Sequence, residues 1–145
     1  MTAPAFRTTR RVEFADTDMA GIVHFANFFR WMEAAEVEFL RSLGLSVAMT
    51  ADGLKLGLPR VSASCDFLKP ARFEDVLEVS VILEKVGRKS LTYLFDFHKQ
   101  GEHIARGRIS AVCCRVEENR KLEAIEIPAA IREVLQKASN HGSRD

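Results

Sequence analysis

The feature that most constrains this chain lies in residues 26–43. There Phe28, Met32, Ala35, Phe39 and Leu43 recur at steps of three and four, while Arg30, Glu33 and Arg41 fall on the other side. That is the period of an amphipathic helix, and Gly44 is placed to end it as a left-handed cap. About eighteen residues at about 1.5 Å each make a helix of about 27 Å, long enough to lie across a sheet. After residue 58 the period drops to two. Residues 58–68 alternate through Val61, Ala63, Cys65 and Phe67, and residues 90–99 through Leu91, Tyr93, Phe95 and Phe97. Residues 76–86 are rich in Val, Leu and Ile, and residues 103–116 form a long strand candidate with a bulge expected at Gly107. Residues 6–14 read as a first strand, Gly101-Glu102 as a hairpin turn, and residues 45–54 as a short helical or irregular link. Pro128 fits the first turn of a C-terminal helix running to about Lys137.

One long helix followed by hairpin-linked strands is an α+β pattern, and it differs from the βαβ alternation of a doubly wound sheet. The helix is expected on the concave face of the sheet, burying Phe28, Met32, Phe39 and Leu43. The expected domain spans residues 1–138, with 139–145 a loose polar tail.

Charge and cysteine content narrow the setting. A net charge of +1 over 145 residues gives no reason to expect nucleic acid or an anionic membrane as partner. Residues 1–9 lack the apolar core of a signal peptide, and no run approaches the eighteen or more apolar residues of a membrane helix. Cys65, Cys113 and Cys114 are odd in number and lack metal-ligand spacing, which suits buried thiols in a reducing compartment. A cytoplasmic location is the expectation, with no metal and no cofactor.

The informative segment runs from Phe14 to Glu33. Two carboxylates, Asp16 and Asp18, share a loop, and a glycine turn at Gly21 leads through His24 and Phe25 into the helix. This arrangement resembles the 4-hydroxybenzoyl-CoA thioesterase family of hotdog enzymes. The resemblance continues through Leu58-Pro59-Arg60-Val61-Ser62, Phe67-Leu68-Lys69-Pro70-Ala71, Val86-Gly87-Arg88-Lys89-Ser90 and Glu126-Ile127-Pro128. It implies a hotdog fold, with a five-stranded antiparallel sheet wrapped around one long helix. It also implies a homodimer joined edge to edge, often paired again into a homotetramer, with active sites between protomers and an acyl-CoA as substrate.

By that resemblance Asp18 is the catalytic carboxylate, as nucleophile or as general base. The backbone amide of Phe25 matches the oxyanion donor. A loop aspartate before a helix ordinarily serves as a cap, and that is the reading kept for Asp16. His24, where relatives often carry a large aromatic residue, is read as pocket lining. Arg88, Lys89 and Ser90 match positions that hold CoA phosphates in relatives, and clustered cations with a hydroxyl suit that ligand. Arg60 stands where close relatives are more often apolar and is a further candidate ligand contact. Glu33 and Glu36 are expected to be structural and partly solvent-facing. A non-catalytic acyl-CoA binder on the same fold is the competing reading.

Overall fold

The structure, a computed structural model, describes residues 3–142. Five strands form one antiparallel sheet in the order β1-β5-β6-β7-β4. They are β1 (Phe6–Arg11), β4 (Arg60–Phe67), β5 (Val76–Val86), β6 (Ser90–Lys99) and β7 (Glu102–Val112). The helix α1 (Ala26–Ser42) packs against β1, β5 and β4. Its buried stripe of Phe28, Met32, Ala35 and Phe39 meets Val79, Val81, Tyr93, Phe95 and Phe97 in a single core. Gly44 closes the helix at φ +76, a left-handed conformation that costs glycine nothing. Between β6 and β7 the two turn residues are Gln100 and Gly101, both at positive φ, one place earlier than the sequence suggested. Positive φ at both positions lets a two-residue turn follow the twist of its strands.

Three expectations need correction. Residues 45–54 are not a helical link: β2 (Ala48–Ala51) forms a hairpin with β3 (Leu54–Gly57). Together with β8 (Cys114–Val116) and β9 (Leu122–Ala124) they build a second, four-stranded sheet in the order β2-β3-β8-β9. The long strand candidate therefore breaks at Cys113, and its end joins that second sheet. Gly107 is not a bulge. Its register partners Cys65 and Phe95 are regular, and it sits where the Met32 side chain presses on the sheet. Bulges fall instead between Arg60 and Ser62, between Leu83 and Lys85, and between Phe97 and His98.

The first strand ends at Arg11, and a 3-10 turn over Phe14–Asp16 follows it. The C-terminal helix α2 (Ala129–Gly142) packs on β5 and continues beyond Lys137. Residues 143–145, the end of the expected tail, lie outside the described residues. No helix among those described is long and apolar enough to cross a membrane.

Candidate active site

The loop from β1 to α1 folds back on itself before the helix begins. Asp18 N–H donates to Ile22 O at 2.9 Å and Gly21 N–H to Asp18 O at 2.9 Å, with Gly21 at φ +79. His24 N–H donates to Asp16 O at 2.8 Å, and Val23 N–H to Ala71 O at 2.8 Å. The two aspartates then part company. Asp16 is buried, and its Oδ2 accepts from Glu13 N–H at 2.8 Å, so it holds the turn together as expected. Asp18 is exposed; its Oδ1 accepts from Ala20 N–H at 2.8 Å. Its Oδ2 has no hydrogen-bond partner among the described residues.

Phe25 is the N-cap of α1, and its N–H has no acceptor among the described residues. A free amide at a helix N-terminus is a donor for developing negative charge, supported by the helix dipole. Asp18 and Phe25 line one pocket of about 460 Å³ together with Ile22, Val23, Phe28 and the segment Phe67-Leu68-Lys69-Pro70-Ala71. The Phe67 ring stands 6.2 Å from that of Phe25 and 5.4 Å from that of Phe28. The sequence pointed to Asp18 and Phe25 but gave no pocket role to Phe28 or to residues 67–71. Their position is set by the backbone: Leu68 and Lys69 N–H both donate to Ile104 O, which brings the segment against the loop.

The other candidates lie elsewhere. His24 is exposed, its ring stacks on Phe25 at 4.9 Å, and it does not line the pocket. Arg88 and Lys89 in the β5–β6 turn, and Ser90 at the start of β6, lie at the opposite end of the sheet, where Arg88 pairs with Glu126. The backbone of that turn is fixed by Arg132, whose Nη2 donates to Gly87 O and Arg88 O, each at 2.8 Å. Arg60 is ion-paired with Glu36, at 2.9 Å from Nε and 2.5 Å from Nη2 to Oε1.

Glu36 departs from its expected solvent-facing position and is wholly buried. Four residues after Met32 and three before Phe39, it sits inside the apolar stripe, a signal the sequence did carry. Burial pushes its carboxyl above the usual carboxylate range, with the Arg60 guanidinium opposing. Tyr93 is also fully buried, and its hydroxyl lies near the Glu36 charge. Neither that hydroxyl nor Glu36 Oε2 completes a hydrogen bond among the described residues.

A larger hollow of about 920 Å³ lies against the outer sides of β5, β6 and β7. There Asp96 accepts from Arg106 Nε at 2.8 Å and lies 2.8 Å from His103 Nε2. Asp96, Arg106 and His103 thus form one hydrogen-bonded group on its wall. Among the described residues no cluster of three metal-ligating side chains occurs.

A curved antiparallel sheet on one long helix, with a loop carboxylate at that helix's N-terminus, defines the hotdog class. The chain belongs to the thioesterase-like superfamily, whose family model matches residues 12–135. A protein of Aquifex aeolicus is 38% identical over 128 residues, covering 88% of this chain and 94% of the relative. The 4-hydroxybenzoyl-CoA thioesterase of Pseudomonas sp. (strain CBS-3) is 32% identical over 131 residues, covering 83% and 89%. Among solved structures, a gentisyl-coenzyme A thioesterase superposes with a TM-score of 0.76 at 34% identity, covering 88% of this chain and 99% of its own.

Proposed function

We propose that this protein hydrolyses an acyl-CoA thioester to free acid and CoA, with Asp18 as its catalytic carboxylate. The observation that carries the reading is the pairing, in one apolar pocket, of a carboxylate with an uncommitted oxygen and a free helix-terminal N–H. Asp18 attacks the thioester carbonyl, or takes a proton from the water that does. The C–S bond then breaks. The thiolate leaves readily because thiols are far more acidic than alcohols or amines (about 8.5 for a cysteine side chain), so no strong general acid is required. If Asp18 is the nucleophile, a mixed anhydride forms and water cleaves it. Either way the carbonyl oxygen gains negative charge, and the Phe25 N–H stabilises it.

Relatives named for CoA thioesters support the choice of leaving group. In this reading Arg88, Lys89 and Ser90 hold the CoA phosphates, and they do so from the partner protomer. The turn and Asp18 sit at opposite ends of the sheet, and β5 alone has eleven residues, or roughly 36 Å at about 3.3 Å each. A homodimer, alone or paired into a tetramer, joined through the open edge of β4 brings the two together. The reading places the enzyme in the cytoplasm, with residues 1–138 as its catalytic domain.

A panel of acyl-CoAs followed by free-thiol release tests the activity. Asp18→Asn should lower kcat by roughly 10²–10⁴-fold while acyl-CoA binding persists. Binding without hydrolysis of any ester in the wild type would make the protein an acyl-CoA sensor instead.

A further inference from the structure

We propose that Arg60 of each protomer completes the acyl pocket beside its partner's Asp18, and that buried Glu36 is the residue that positions it. This rests on the reading of Asp18 given above. The outer edge of β4 is unpaired, and it is poorly guarded. Val61 is 63% exposed, the next residues are Ser62, Ala63, Ser64 and Cys65, and no charge appears before Asp66. Edges that stay solitary usually carry lysines or prolines. A second copy pairing there about a two-fold axis must run antiparallel. The start of one β4 then lies against the end of the other, and the partner's Arg60 comes beside Phe67, a wall of the Asp18 pocket.

Within one chain the contact is impossible. Arg60 and Phe67 are the two ends of β4, about 23 Å apart at about 3.3 Å per residue. The bulge supplies the orientation. Arg60 pairs with Ala111 and Ser62 with Ser110, so Val61 is the extra residue. That insertion turns Arg60 to the same face as Ala63, Cys65 and Phe67, the face that meets α1.

Glu36 then fixes the guanidinium. It takes Nε and Nη2 on one oxygen, while Nη1 has only Glu33 at 3.7 Å, beyond hydrogen-bonding reach. The free donors of Nη1 are available to the acyl group. An ion pair with one partner this deeply buried is weak evidence of a stabilising role, since apolar replacements of such pairs are often neutral. A geometric duty explains its presence.

Mixed oligomers test the proposal. Two differently tagged chains, Asp18→Asn and Glu36→Gln/Arg60→Met, are co-expressed and purified through both tags. As a homo-oligomer, the double variant should raise KM by about tenfold, the worth of one charge-assisted hydrogen bond, with its melting temperature near wild type. In the mixed species one site per dimer carries both lesions and the other none. About half of wild-type kcat at wild-type KM is expected. Activity no better than the average of the two homo-oligomers, at the raised KM, overturns the arrangement between protomers. Wild-type KM in the double variant overturns a role for Arg60 alone, leaving Asp18 standing. Full turnover by Asp18→Asn overturns both readings. If the double variant fails to fold, Arg60→Lys, which keeps the charge but loses the fork, replaces it with the same outcomes.

Discussion

Gly107 on β7 and Met32 on α1 meet with no room between them: a Cβ at position 107 would overlap the Met32 sulfur and lie 3.3 Å from Ser64 O. The helix that carries the N-terminal amide of Phe25 is seated on the sheet through this contact. Gly107→Ala should therefore destabilise the protein by about 1–3 kcal/mol, the usual cost of overpacking a core. Urea unfolding reads the loss. In a Met32→Ala background, itself destabilised by the cavity left behind, Gly107→Ala should cost less, because the clash is with a side chain. Independent additivity of the two changes would show that the contact is not what matters.

Asp16 and Asp18 stand two residues apart with different duties. Asp16→Ala removes the acceptor for Glu13 N–H and should cost about 1 kcal/mol, seen as a lower melting temperature. Turnover per folded molecule should stay close to wild type. A large fall in kcat with unchanged stability would move the chemistry to Asp16.

The turn at Arg88 and Lys89 is held by backbone contacts from Arg132 and Ile127, so removing its side chains leaves the loop in place. Replacing both with Ala should raise KM and largely keep kcat, because phosphate contacts act on ground and transition states alike. Wild-type binding should weaken with salt more steeply than that of the variant. An unchanged KM returns the turn to a solvated hairpin.

Asp96 gives a pH dependence of defined sign. Although burial raises its carboxyl, hydrogen bonds from Arg106 and His103 outweigh it and hold the folded pKa below the ordinary 3.8. A depressed carboxylate contributes stability above its unfolded pKa and loses it as the pH falls through the folded value. Arg106→Met should cost on the order of 1 kcal/mol at pH 7, since the arginine is half exposed. That difference should shrink toward zero below pH 3.8, which denaturant titrations at pH 7 and pH 3 would detect.

The helix and the loop before it were legible because their signals are local. The steps of three and four through Phe28, Met32, Ala35 and Phe39 dictate a one-sided helix, and Gly44 dictates its end, whatever surrounds them. The second sheet was not legible. Its strands have three or four residues each, too few to show a period, and β3 pairs with β8 across more than fifty residues. Cys113, between two strands that look like one in the sequence, marks the change of sheet only once the chain is folded.

The candidate site divides in the same way. The sequence alone singled out the loop carboxylate Asp18 and the backbone amide of Phe25, because both stand in one short segment, residues 14–33, whose pattern carries the resemblance. Only the tertiary structure decided what surrounds them. Residues 67–71 reach Asp18 through hydrogen bonds to Ile104, and Arg60 is tied to Glu36 across twenty-four positions. Such contacts depend on how a sheet and a helix stack, and no short-range pattern of residues encodes that packing.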